Sequence, residues 1–172
     1  VGGGAAGLTV AALLKAAQAD LDIAVIEPSE HHYYQPAWTL VGGGAYPIEK
    51  TRHATERHMP AGVKWIRERA AGFDPDHNRV VLASGAQVEY RYLVVAAGLQ
   101  LDWNRIEGLE ATLGKNGVTS NYRYDLAPYT WECIRNLRAG QALFTQPAMP
   151  IKCAGAPQKI LYLGADHWRR KG

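Results

Sequence analysis

Apolar and polar positions change spacing several times along the chain, and each change predicts an element. Residues 8–19 are rich in Ala and Leu at helical spacing. Asp22-Ile23-Ala24-Val25-Ile26-Glu27 is a short apolar run closed by an acid, which predicts a strand. With the glycine-rich opening, these make half of a β-α-β unit: the end of one strand, a turn, a helix and a second strand. Pro28 and Ser29 stop that strand. Residues 31–44 are aromatic and then glycine-rich, predicting a loop that leads into a short irregular or helical segment. Residues 63–70 alternate and predict one strand. Residues 79–83 and 87–90 flank Ser84-Gly85 and predict a hairpin. Residues 92–97 are continuously apolar, as a buried parallel strand requires, and Gly98 ends them. Residues 102–122 are loop-rich. A helix is predicted over 126–137 with Gly140 as its stop, a strand over 141–145, a Pro-rich loop over 146–156, and a helix over 158–170 with Pro157 at its first turn. The class is α/β. A first Rossmann-like domain spans residues 1–105, and a partial second Rossmann-like α/β domain spans 106–172, the boundary falling between Gly98 and Gly108.

A length of 172 residues allows one domain, or one and part of another. The 47% hydrophobic content suffices for a packed core. The net charge of +3 and the short basic clusters give no footprint for nucleic acid. Arg169-Arg170-Lys171 reads as a solvated helix end. No run of about 18 apolar residues predicts a membrane span, and no signal peptide is visible. With only Val1 before the glycine turn, and an abrupt close at Trp168-Arg169-Arg170-Lys171-Gly172, the chain reads as a fragment. Its cysteines, Cys133 and Cys153, form no C-x-x-C pair and no zinc spacing with histidine, so no metal site is expected.

Gly2, Gly4 and Gly7 fit G-x-G-x-x-G. The first allows a tight turn, the second lets the backbone approach a pyrophosphate, and the third lets the helix pack close to the strand. The free N–H groups of the helix then face the phosphates. Glu27 lies 25 residues beyond Gly2, at the end of the second strand, where a carboxylate accepts hydrogen bonds from ribose hydroxyls. An acid there disfavours a 2′-phosphate, leaving FAD or NAD. Residues 92–98, ending in Ala-Ala-Gly98, resemble the second flavin-family signature, and the hairpin at 79–90 departs from an uninterrupted β-α-β repeat. Both features favour FAD.

Cys153 sits in a Pro/Gly loop between the predicted strand at 141–145 and the last helix, with Lys152 adjacent and Lys159 a turn away. A helix N-terminus and nearby cations favour the reactive thiolate, which suits a redox cysteine; a small buried hydrophobe is the plainer alternative. Cys133, beside Trp131 and Ile134 in a helix, suits a core role. A second Rossmann domain that binds NAD(P)H needs a glycine fingerprint after residues 141–145. The chain instead has Gln146-Pro147-Ala148-Met149-Pro150, and prolines, lacking N–H groups, cannot build that cradle. His31 reads as a surface histidine and His32 has no assigned role. Tyr33, Tyr34 and Trp38 read as packing around a cofactor pocket.

Two long blocks are more specific than the glycines. Glu27-Pro28-Ser29, running through His32-Tyr33-Tyr34-Gln35-Pro36 and Trp38-Thr39-Leu40-Val41-Gly42, is one. Lys152-Cys153-Ala154-Gly155-Ala156-Pro157-Gln158-Lys159 is the other, and Tyr90-Arg91-Tyr92-Leu93 through Gly98 to Asp102 lies between them. Together they resemble the sulfide:quinone oxidoreductase family, in the branch shared by mitochondria and some bacteria. The resemblance implies two Rossmann-like domains with FAD and a membrane-attaching segment beyond residue 172. It implies two-electron oxidation of hydrogen sulfide, reduction of ubiquinone or another quinone, and a small sulfur acceptor. It implies a place at the mitochondrial inner membrane or the bacterial cytoplasmic membrane. It puts Ala5 and Ala6 at the pyrophosphate, Gln35 against the cofactor, the Ala70 backbone near the adenine, and Cys153 as the first redox cysteine, with the second beyond residue 172. The competing readings are a type II NADH:quinone dehydrogenase-like flavoprotein and a non-catalytic nucleotide-binding fragment.

Overall fold

The structure is a computed structural model that describes residues 1–171; Gly172, read above as the close of the last helix, lies outside the described residues. The chain divides into two compact units. One comprises Val1–Tyr33 and His53–Gly98, the other Tyr34–Arg52 and Leu99–Gly172.

In the first unit, helix α1 (Ala5–Ala17) follows from its Ala/Leu-rich sequence and buries Leu8 and Ala11. Its last turn is tied off by Lys15, whose Nζ donates to the carbonyls of Ala19 and Leu21 at 2.9 and 2.7 Å. Strand β1 (Ile23–Ile26) follows. Strands β2 (His31–Tyr33) and β3 (Arg52–Ala54) form a short ladder. Strand β4 (Val63–Ile66) pairs in parallel with β1, from Ile23↔Val63 to Ile26↔Ile66. On the far side of β1, Gly2 N donates to Ile26 O at 2.9 Å, and Val1 in turn exchanges hydrogen bonds with Val94 O and Ala96 N. The backbone order is therefore β4, β1, Val1 and the segment around residue 95. The antiparallel strands β5 (Ala70–Asp74), β6 (Arg79–Leu82) and β7 (Gln87–Glu89) complete the unit. Ile26, Val80 and Leu82 form the buried centre, with Val1, Ile66, Ala70, Val88, Tyr90 and Leu93 packed against them.

The hairpin at Ser84-Gly85 forms as its sequence predicts, with Gly85 at φ +88°. Two strand predictions need correction. The alternation over residues 63–70 spans a bend: Ile66 O accepts N–H from both Glu27 and Glu68, so pairing with β1 stops at Ile66, and the chain starts a new strand at Ala70. Residues 92–97 are not a buried strand. Val95 is 58% exposed and Tyr92 86%; among the described residues the backbone there takes Val1 as its ladder partner, through Val94 O and Ala96 N.

In the second unit, α2 (Trp38–Gly42), α3 (Leu109–Thr112), α4 (Ala127–Asn136) and α5 (Gly155–Lys171) are joined by 3-10 turns and loops. Helix α2 packs on α4 and α5. Glycines make that approach possible: a Cβ on Gly43 would lie 2.5 Å from the Leu163 side chain, and one on Gly44 2.5 Å from the Trp131 ring. Trp38, Val41 and Ala127 are the buried centre. Trp168 Nε1 donates to Ile134 O at 2.8 Å, fastening α5 to α4. The strand expected over 141–145 does not form; without a neighbouring ladder to satisfy its backbone, this segment leaves Leu143 85% exposed. Among the described residues the unit has no sheet of its own, so the α/β class rests on the first unit. Residues 34–52, placed by sequence with residues 1–105, pack instead with residues 99–172 because α2 buries its face on α4 and α5.

Candidate functional site

The first group of site residues lies where β1 and Val1 meet α1. Gly2 has φ +102°, and a Cβ there would lie 2.2 Å from Ala96 O, so neither the conformation nor the space admits a side chain. A Cβ on Gly7 would lie 1.9 Å from Gly2 O; its absence lets α1 close on the turn. Gly4 differs. Its added Cβ would meet nothing within 4 Å, so the space before the helix is open. Gly4 is also the N-cap of α1 and no side chain caps the helix, so the first-turn N–H groups, with Ala5 and Ala6 exposed among them, are not consumed internally. An open face, free N–H groups and the positive helix end suit a pyrophosphate.

Glu27 is half-buried and bidentate. Its Oε2 accepts Gly3 N at 2.8 Å, and its Oε1 accepts Ser29 N at 2.7 Å. Each oxygen retains a lone pair for a ribose hydroxyl. The residues present therefore fit a dinucleotide at this end of the unit. Ala70 opens β5 opposite Leu82 and belongs to the apolar cluster that carries Val1 and Ile26, the residues preceding Gly2 and Glu27. Gly98 has φ +76° and open space beyond its Cα.

Next to the glycine turn stands a group that sequence reasoning passed over. His32 Nδ1 lies 3.3 Å from Gly3 O. The His58 ring lies 4.9 Å from that of His32 and 5.3 Å from that of His53. Burial, and then the neighbouring charges of His32, His53 and Arg57, hold the His58 imidazole below the usual histidine range. His32 and His58 sit 26 residues apart in the sequence with no common motif to link them. Among the described residues, no group of three His, Cys, Asp or Glu side chains is placed to hold a metal ion.

The second group lies in the other unit. Cys153 is exposed and not in a disulfide, two residues before α5; its carbonyl accepts Ala156 N at 3.1 Å. Tyr122 Oη donates to the same carbonyl at 3.3 Å, and Gln35 Nε2 donates to Tyr122 O at 3.4 Å. Gln35 and Cys153, singled out separately in the sequence, are thus joined through a residue read only as loop. Burial, followed by the negative charge of a Cys153 thiolate, pushes the Tyr122 phenol above the usual tyrosine range. Cys133 is half-buried in α4, and its carbonyl accepts Leu137 N at the helix end.

The family model described as "Pyridine nucleotide-disulphide oxidoreductase" matches residues 1–139. The chain is 47% identical to the mitochondrial sulfide:quinone oxidoreductase of Dictyostelium discoideum, over 100% of its own length and 38% of that protein. It is 43% identical to the mitochondrial sulfide:quinone oxidoreductase of Mus musculus, over 100% of its own length and 38% of that protein. The chain thus spans little more than a third of the curated relatives it matches. Among solved structures, the sulfide:quinone oxidoreductase from Aquifex aeolicus superposes with a TM-score of 0.63 at 28% identity, over 78% of this chain and 30% of that one.

Proposed function

This chain belongs to the pyridine nucleotide-disulphide oxidoreductase family, and from that premise we propose that it forms part of an FAD-dependent sulfide:quinone oxidoreductase. The observation that carries the proposal is the likeness, over the whole length of this chain, to relatives bearing that name. Its products would be a quinol and a sulfane sulfur passed to a small acceptor. Attachment would be peripheral, at the mitochondrial inner membrane or a bacterial cytoplasmic membrane. Among the described residues, no helix is long and apolar enough to cross a membrane.

In this reading Gly2 and Gly7 shape the turn, and the Gly4, Ala5 and Ala6 backbone receives the pyrophosphate on the free N–H groups of α1. Glu27 receives the ribose, and Ala70 and Gly98 border the cofactor; Gln35 keeps the role against the cofactor that the resemblance implies. FAD, when bound, supplies a two-electron acceptor. Cys153 forms one half of a disulfide with a cysteine beyond residue 172. Hydrosulfide attacks that disulfide; the S–S bond breaks, a new S–S bond forms as a persulfide on one cysteine, and the other cysteine leaves as a thiolate carrying the electron pair. The exposed position of Cys153 in an open loop gives the attacking sulfur access.

A type II NADH:quinone dehydrogenase is the competing reading. Residues 146–150 form an irregular exposed loop with two prolines, which offers no phosphate cradle. Anaerobic titration of the full-length, flavin-loaded protein separates the two. Sulfide bleaches the oxidised flavin band and NADH does not; bleaching by NADH alone would overturn the proposal.

A further inference from the structure

The loop over residues 146–154 is exposed along almost its whole length, yet it carries the cysteine on which the proposed reaction depends. A reactive sulfur on a loose loop spends most of its time misdirected, and small displacements of a reacting group cost large factors in rate. What fixes this loop is therefore a functional question. Among the described residues, one side-chain hydrogen bond reaches it: the phenol O–H of Tyr122, donating to Cys153 O at 3.3 Å. That carbonyl also accepts Ala156 N, closing the turn into α5, so the Tyr122 bond converges with the turn on a single oxygen and restricts the backbone that sets the direction of Sγ. Sγ lies 4.0 Å from the place a Cβ would occupy on Gly155, the first residue of α5.

Tyr122 is itself anchored. Its N–H donates to Ser120 Oγ at 3.1 Å, and its carbonyl accepts Gln35 Nε2 at 3.4 Å. Gln35 opens the turn that leads into α2, whose Trp38 and Val41 belong to the buried centre of the unit. A chain of contacts thus runs from a buried core through Gln35 and Tyr122 to the cysteine carbonyl.

We propose that Tyr122 is a positioning residue for Cys153, holding the redox loop in register with the Gln35 segment through its phenol hydroxyl. The inference rests on the sulfide-oxidising reading and deepens it. Because burial raises the phenol above its ordinary range, the hydroxyl keeps its proton, and so its donor role, throughout neutral and mildly alkaline pH. Tyr122 acts on the cysteine backbone, not on the sulfur, so it takes no proton from the substrate in this scheme.

Tyr122→Phe in the full-length, flavin-loaded protein removes the hydroxyl and keeps the ring. Hydrogen exchange in the peptide covering residues 150–157 should speed up by about fivefold, the factor that one lost hydrogen bond represents. Flavin reduction by sulfide should slow by roughly threefold to tenfold. Flavin content, the thermal midpoint and the reoxidation of chemically reduced flavin by a soluble quinone should stay at wild-type values. Unchanged exchange and unchanged sulfide reduction would overturn the assignment. So would a loss of sulfide reduction matched by equal losses of flavin and thermal stability, which would mark Tyr122 as a packing residue only. Failure of sulfide to reduce the wild-type flavin is a separate result: it overturns the functional reading itself, and the assignment with it.

Discussion

Glu27 Oε2 accepts the backbone N–H of Gly3 at 2.8 Å, so the acid that ends β1 holds the middle of the glycine turn in place. Its other oxygen holds Ser29 N at 2.7 Å, fixing the chain on the far side of the strand. One carboxylate therefore organises the backbone on both sides of the position proposed for the ribose. Glu27→Ala should lower stability by about 1–3 kcal/mol, since two amide donors lose a charged acceptor. It should also weaken FAD retention by at least about tenfold, equivalent to ~1.4 kcal/mol. Urea unfolding and flavin titration read the two effects; unchanged flavin affinity would remove Glu27 from the cofactor site.

The glycines of the turn separate folding from binding. Gly7→Ala brings a Cβ to 1.9 Å from Gly2 O and should leave little folded protein. At Gly4 a Cβ meets nothing within 4 Å, so Gly4→Ala should fold with a thermal midpoint near wild type while losing FAD affinity, because the new methyl enters the space a pyrophosphate needs. Wild-type flavin affinity in Gly4→Ala, measured by fluorescence titration, would contradict this placement of the cofactor.

The histidine group beside the turn predicts a pH dependence. Folded His58 titrates below its unfolded value because of burial and the charges of His32, His53 and Arg57. Between the depressed folded value and the unfolded value of about 6.5, the unfolded chain binds more protons, so stability rises with pH in that window. It is fully present above about pH 6.5 and is lost as the pH falls through the folded value. The group is largely solvated, so the effect is small. The thermal midpoint should be lower at mildly acidic pH than at neutral pH, and His58→Gln should flatten part of that slope. An identical slope in the variant would contradict the attribution.

Thr51 is fully buried at 0% exposure; its hydroxyl donates to Ile48 O at 2.7 Å and accepts Trp38 Nε1 at 3.1 Å. Thr51→Val keeps the shape and removes both bonds, which should cost about 1–3 kcal/mol in urea unfolding. A midpoint equal to wild type would show that neither bond contributes.

What could be read from the sequence divides along physical lines. The glycine turn, α1, the 84–85 hairpin, α4 and α5 were readable because each depends on local signals: helical spacing, turn chemistry or a close backbone approach. The strands over 92–97 and 141–145 were misjudged because an apolar run becomes a strand only where a neighbour completes its ladder, and among the described residues the first of them bonds to the backbone of Val1 alone. The allegiance of residues 34–52 was hidden because Gly43 and Gly44 make sense only beside Leu163 and Trp131, more than eighty residues away. Tyr122 carried no signal, since its role lies in a hydroxyl reaching Cys153, 31 residues on. The family resemblance supplied Gln35 and Cys153 as separate expectations; the structure supplies the residue between them.

The most direct test of the account is flavin reduction by sulfide in the full-length protein carrying Cys153→Ser, followed anaerobically by absorbance. The substitution exchanges one exposed sulfur for oxygen and leaves the glycine turn untouched. The account predicts that the variant binds flavin as the wild type does and that its absorbance stays unbleached by sulfide. Bleaching at the wild-type rate would contradict the assignment of Cys153 as the sulfur that takes part in the reaction.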